Sequence, residues 1–219
     1  MSAIWLGIDT TSATGGVALV DGETILAESV LPVDTFHSEK LLPAVSETLD
    51  KVGLGGDELA GIGVSAGPGS YTGIRIGAST AMGLGSGWNV PLRGVSALRI
   101  IASQLPEGEP VLSCIRARQG EVFAAVFQSS SIDSKEILES GIYRVEKLKD
   151  HIPKGCCAVG SGRKEVQEVM AGRLKWVSPL LDTPRPSLAA WCACKSAEKE
   201  GFQKTLEPLY LREFNQRLD

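Results

Sequence analysis

The chain has 219 residues, 43% apolar and 22% charged, with a formal net charge of −4. That length suits one large domain or two small ones, and the composition excludes a disordered chain. The acidic balance excludes nucleic-acid binding by bulk electrostatics and leaves room only for a local basic patch. No apolar run reaches the roughly 18–20 residues of a membrane span. The opening MSAIWLGIDT lacks a positive n-region and reaches Asp9 too early for a signal peptide, so the cytosol is expected.

In chain order, Ala3–Ile8 reads as a strand ending in the polar turn Asp9-Thr10-Thr11-Ser12. Gly16–Val20 and Thr24–Val30 read as a hairpin around Asp21-Gly22. His37–Val52 repeats apolar residues at helical spacing, and Pro43 predicts that the helix starts or bends there. Gly61–Ser65 is a strand, Gly73–Gly87 a helix and Val90–Val95 a strand. Ser96 is placed to cap a helix reaching about Leu105. Pro106-Glu107-Gly108-Glu109-Pro110 marks a boundary, after which the pattern restarts. Val111–Arg116, Glu121–Phe127 and Ile137–Arg144 read as strands, Val145–Asp150 as a short helix and Cys157–Val159 as a strand. Lys164–Ala171 and a segment capped by Ser187 and running to Lys199 read as helices, before the apolar tail Pro208–Arg212. The shared strand–hairpin–helix order of the halves fits a duplicated α/β lobe.

Three motifs carry the chemistry. Asp9-Thr10-Thr11 places acceptors and N–H groups where a phosphate and its metal could sit, as in the first phosphate loop of the actin, Hsp70 and sugar-kinase superfamily. It equally suits a polar turn bonding its own backbone. The run Ala66–Arg75 leaves a strand and opens a helix, so its N–H groups suit an anion. Ile74-Arg75 stands where a Walker A loop needs Lys and Ser/Thr, and the glycine spacing is wrong for a dinucleotide fingerprint. A glycine turn without ligand is the alternative. Asp9, Thr10, Thr11, Gly67, Gly69 and Ser70 are thus the candidates for nucleotide contact. Third, Gly73, Gly77, Ala81 and Gly85 recur every four residues, a row that admits a second backbone closely. Spacing alone leaves open whether that backbone is the protein's own sheet or a partner's helix.

Cys114, Cys156, Cys157, Cys192 and Cys194 form no C-x-x-C pair and have only His37 and His151 beside them, so reduced thiols and no metal site are expected. No G-x-S-x-G elbow is present.

These motifs, in this order, resemble the bacterial tRNA threonylcarbamoyladenosine biosynthesis family TsaB, also called YeaZ. The matching stretches are Gly7–Thr11, Phe36–Pro43, Gly67–Gly77, Ala117–Val122 and Leu209–Arg212. The family usually has Asp-Ala-Arg where this chain has Arg116-Ala117-Arg118. The resemblance implies an actin-like (ASKHA) α/β fold of two lobes, each a mixed sheet flanked by helices. Residues 1–105 form the first lobe and 106–219 a reduced second one, with the last helix or tail docking back on the first. It implies a non-catalytic partner of a TsaD-like transferase, which forms N6-threonylcarbamoyladenosine beside the anticodon of tRNAs reading ANN codons. A TsaE-like ATPase joins the pair, tRNA is reached through the complex, and a homodimer of the isolated chain is left open. No cofactor is required by the chain alone, with ATP or its product expected at or near the partner interface. That interface would lie on the first two helices, through Leu41, Leu42, Val45, Gly73, Gly77, Ala81 and Gly85. The alternative is a small-molecule kinase or ATPase of the same superfamily. A peptidase would need metal ligands or a nucleophile–base pair, and neither is visible.

Overall fold

The computed structural model describes residues 3–32, 38–170, 172–207 and 209. The first sheet grows from a central strand. β1 (Ile4–Asp9) pairs antiparallel with β2 (Thr14–Asp21), which pairs with β3 (Thr24–Pro32). Gly22, at φ +59°, supplies the left-handed residue of the tight turn between β2 and β3. Helix α1 (Ser38–Val52) follows; it contains Pro43 rather than starting there. Pro43 is exposed in the early part of the helix, where water can serve the carbonyl that loses its donor. His37 lies outside the described residues.

β4 (Gly61–Ser65) pairs parallel with β1. Helix α2 (Tyr71–Trp88) is capped by Ser70, whose Oγ accepts from the Gly73 N–H, and ends at Asn89 in the left-handed conformation (φ +56°). β5 (Leu92–Val95) adds beyond β4, giving the order β3-β2-β1-β4-β5. Leu6, Ile8, Ile62 and Val64 from the sheet meet Leu41, Val45, Ala78 and Ala81 from α1 and α2 in one buried core. After α3 (Ala97–Ala102) the pattern repeats.

β6 (Val111–Arg116), β7 (Glu121–Phe127) and β8 (Glu136–Arg144) form an antiparallel meander. Next come α4 (Val145–Leu148), β9 (Cys157–Val159), α5 (Arg163–Val169) and β10 (Lys175–Trp176). β9 is parallel to β6 and β10 to β9, so the order is β10-β9-β6-β7-β8. In each sheet, then, a meander's first strand is also the start of a parallel run, the duplicated lobe of the actin-like fold. β10 was not expected; two residues carry no periodicity. Leu112, Val122, Leu148, Ala158 and Val166 centre the second core.

The last helix, α6 (Pro186–Glu200), returns to the first sheet. A Cβ on Gly7 would fall on the Pro186 carbonyl, and one on Gly63 would sit 2.5 Å from the Ala193 Cβ and 2.6 Å from the Ala189 oxygen. Bare backbone in β1 and β4 is therefore what lets α6 approach. The two compact units are Met1–Ile100 with Pro184–Leu209, and a second that includes Ile101–Thr183. The boundary falls after Ile100 rather than at Leu105, and Pro184–Leu209, which include the last helix, belong with the first unit, where that helix was expected to dock. Neither serine expected to cap a helix does so with its hydroxyl. Ser96 Oγ is buried without a partner. Ser187 instead donates from its hydroxyl (2.6 Å) and N–H (3.0 Å) to Glu28 of β3, which also pairs with Arg185. All five cysteines are free thiols, with Cys114, Cys156 and Cys192 buried.

Candidate functional site

β1 delivers Asp9 into the interior, 1% exposed. Its Oδ1 accepts from the Thr11 hydroxyl (2.7 Å) and the Thr11 N–H (3.3 Å), while Oδ2 is buried with no partner. Ser65, at the end of β4, lies 3.3 Å from the Thr11 hydroxyl. Burial pushes the Asp9 carboxyl up to about 6. The hydrogen bonds from Thr11 and Ser65 pull it down but do not prevail.

The loop before α2 lies against this turn. The Ser70 N–H donates to the Thr11 carbonyl (2.8 Å), and the Thr10 hydroxyl donates to the Gly73 carbonyl (2.6 Å). A Cβ on Gly69 would overlap the Thr11 carbonyl. Asp9, Thr10, Thr11, Gly69 and Ser70 therefore meet, whereas Gly67 (φ +103°) lies against Ile74 and Leu209, whose N–H donates to the Ala66 carbonyl. Tyr210–Arg212 lie outside the described residues. Ser65 had no sequence signal, being a polar end to an apolar strand. Replacing the Ser70 hydroxyl removes one α2 cap, so Ser70→Ala should lower stability by about 1 kcal/mol in denaturant titrations.

The row on α2 faces inward. A Cβ on Gly73 would fall on the Thr10 carbonyl, one on Gly77 would sit 2.6 Å from the Thr10 hydroxyl, and one on Gly85 2.6 Å from Leu92. Ala81, Leu41 and Val45 are buried in the same core. The interface assigned to Leu41, Val45, Gly73, Gly77, Ala81 and Gly85 is thereby corrected: these residues are buried in the protein's own interior, with Gly73 against the Thr10 carbonyl and Gly85 against Leu92 and the Val90 carbonyl. Of that set only Leu42 is outward, 55% exposed. On α2 the outward side chains include Tyr71, with the Arg75 guanidinium 4.0 Å over its ring, and Ser79. Gly83 and Gly87 have open space where a Cβ would stand.

In the second unit, the residue topologically equivalent to Asp9 is Arg116, the last of β6. Its guanidinium pairs with Glu165 at 2.9 Å. The loop between β9 and α5 is internally engaged. Gly160 N–H donates to Asp182 (2.9 Å), Gly162 N–H to the Cys114 carbonyl (3.1 Å) and Arg163 N–H to the Gly160 carbonyl (3.1 Å). Arg163 also grips both Asp182 oxygens at 2.8 Å, a pair 19 residues apart that sequence reasoning missed. Burial holds the Cys114 thiol far above its ordinary range, so it is inert. In the first unit Asp9 Oδ2 could face a cation; in the second, the N–H groups of Gly160, Gly162 and Arg163 already donate within the protein. Among the described residues no three His, Cys, Asp or Glu gather to hold a metal, and no helix is long and apolar enough to cross a membrane.

Residues 25–171 match the family model of TsaD, tRNA N6-adenosine threonylcarbamoyltransferase. The TsaB proteins of Bacillus subtilis and Escherichia coli are 36% identical over 124 residues and 34% identical over 147 residues. The solved structure of YeaZ from Pseudomonas aeruginosa superposes with a TM-score of 0.80 at 25% identity, covering 95% of this chain and all of that one. The chain belongs to the TsaD family and, within it, to the TsaB/YeaZ group. The two sequence matches cover 56% and 66% of this chain, and 54% and 60% of those relatives' own length. Component A of (R)-2-hydroxyglutaryl-CoA dehydratase from Acidaminococcus fermentans, TM-score 0.53 at 14% identity, shares the fold.

Proposed function

We propose that the protein is a non-catalytic subunit that pairs with a TsaD-type transferase in the cytoplasm. The pair forms N6-threonylcarbamoyladenosine beside the anticodon of tRNAs reading ANN codons, with a TsaE-like ATPase joining it. The observation that carries the non-catalytic reading lies in the second unit, where Arg116 ends β6 in place of the acid usual in the resembling family, and Gly160, Gly162 and Arg163 in the loop after β9 donate within the protein. The outward faces of α1 and α2 supply the docking surface, with Leu42 and Tyr71 as apolar anchors and with Gly83 and Gly87 open where a side chain would stand. ATP or its product, where bound, belongs to the assembled complex.

The kinase or ATPase reading has one observation in its favour, the unpartnered buried Asp9 Oδ2. The test is reconstitution. The chain alone should transfer nothing and hydrolyse no ATP above background, and a TsaD-like protein should modify tRNA only when the chain is added. Tyr71→Ala should weaken the pair by about 1–2 kcal/mol, roughly 5–30-fold, with unchanged melting temperature. ATP turnover by the chain alone that Asp9→Ala abolishes would establish the alternative.

A further inference from the structure

One end of the second sheet collects cations. Arg116 ends β6, Arg118 lies in the β6–β7 turn and Arg144 ends β8. Lys164 opens α5. Backbone contacts bring these segments together. The Glu121 N–H donates to the Arg118 carbonyl (3.0 Å), and the Val145 N–H to the Gly120 carbonyl (3.1 Å), which seats Arg144 beside the turn. The Arg116 N–H donates to Ser161 Oγ (3.2 Å), and the Arg116 guanidinium reaches Glu165, which seats the start of α5 there too. The carboxylates nearby are Glu121, Glu146 and Glu165. Glu165 is engaged by Arg116, and Glu121 stands opposite Arg144 in the register without an ion pair. Arg118, Arg144 and Lys164 are exposed, and among the described residues their charged groups have no partner. Cations that make no ion pair within the fold leave their charge available to a ligand.

We infer that this end of the second unit binds the phosphate backbone of RNA directly, through Arg118, Arg144 and Lys164. The inference rests on the proposed tRNA-modifying role and goes beyond it, since there tRNA is reached only through the complex. Exposed guanidinium groups suit phosphate oxygens as bidentate donors, and such contacts position a nucleic acid without reading its sequence. The chain's net negative charge elsewhere confines binding to this patch and makes it salt-sensitive.

The experiment titrates the full chain against an unmodified tRNA transcript by fluorescence anisotropy at several salt concentrations. The variants are Arg118→Gln/Arg144→Gln/Lys164→Gln, the single Arg118→Glu, and Lys51→Gln on α1 as control. The triple variant should melt like the parent and lose at least about tenfold in affinity at low salt. Its log–log salt slope should be shallower by roughly 1 for each phosphate contact removed. Arg118→Glu should lose affinity too, and Lys51→Gln should not. No tRNA binding by the parent, or equal affinity and slope for the triple variant, overturns the inference. A DNA hairpin should bind as well and be lost with the tRNA, since phosphate contacts do not read the 2′-hydroxyl; hairpin binding lost while tRNA binding is kept overturns the inference. A parallel pull-down with the TsaD-like protein separates the two claims. Loss of that partner by the triple variant, with RNA binding kept, assigns the patch to an acidic protein face. Failure of the parent to pair counts against the proposed function alone.

Discussion

Gly73→Ala should destabilise the protein by about 3 kcal/mol or more, although alanine is the better helix former. At position 73 the new methyl would stand on the Thr10 carbonyl oxygen. That oxygen belongs to the backbone of the β1 turn, and the turn is fixed by the Thr10 hydroxyl on Gly73 and the Ser70 N–H on Thr11. Neither side can give without breaking those bonds, so overpacking at the upper end of its usual range applies. For a chain of this size that is a fall in melting temperature of roughly 6–12 °C. Gly83→Ala, ten residues along the same helix, should do the reverse. Its Cβ would point into open space, so only the gain of about 1 kcal/mol in helix propensity remains. Calorimetry of the two variants reads both signs. A Gly73→Ala protein as stable as the parent would mean that the helix stands off the turn.

Asp9→Asn should change the pH dependence of stability by about 3 kcal/mol between pH 4 and pH 7. The native carboxyl sits near 6 against 3.8 for the free group, because burial outweighs the hydrogen bonds from Thr11 and Ser65. Below about pH 4 it is protonated in both states and its contribution to stability is fully present. As pH rises through the window from about 4 to 6, the unfolded chain ionises it first, so that stability is progressively lost and stays lost above about pH 6. About two pK units correspond to about 3 kcal/mol. Asparagine keeps the Oδ1 acceptor and does not titrate. Any fixed penalty of its amide cancels when the difference between variant and parent is followed with pH by urea titration. That difference should favour the variant increasingly up to pH 6 and then level off. A flat difference would show that the carboxylate is solvated or paired in the native protein.

A great deal of this protein follows from local sequence. The spacing of Val111–Arg116, Glu121–Phe127 and Cys157–Val159 specifies strands that the structure places at those same residues, and Asp21-Gly22 specifies the hairpin. Asp9, Thr10, Thr11, Gly69 and Ser70 are legible as a group because a strand end and a glycine loop each have short-range chemistry. Only the tertiary structure decides the other outcomes. The row Gly73-Gly77-Ala81-Gly85 announces that a backbone comes close, but a four-residue repeat cannot say whose, and the answer is the β1 turn and the β5 edge. Ser187 has the residue type of a cap, yet Glu28 of β3 takes its hydroxyl, since a charged acceptor from another element outcompetes a local backbone bond. Arg163 finds Asp182, and Lys175–Trp176 becomes a strand, through partners that no window of sequence contains. Short-range pattern fixes what each segment can be; long-range packing determines which face is buried, which glycine is a contact and which charge is left without a partner.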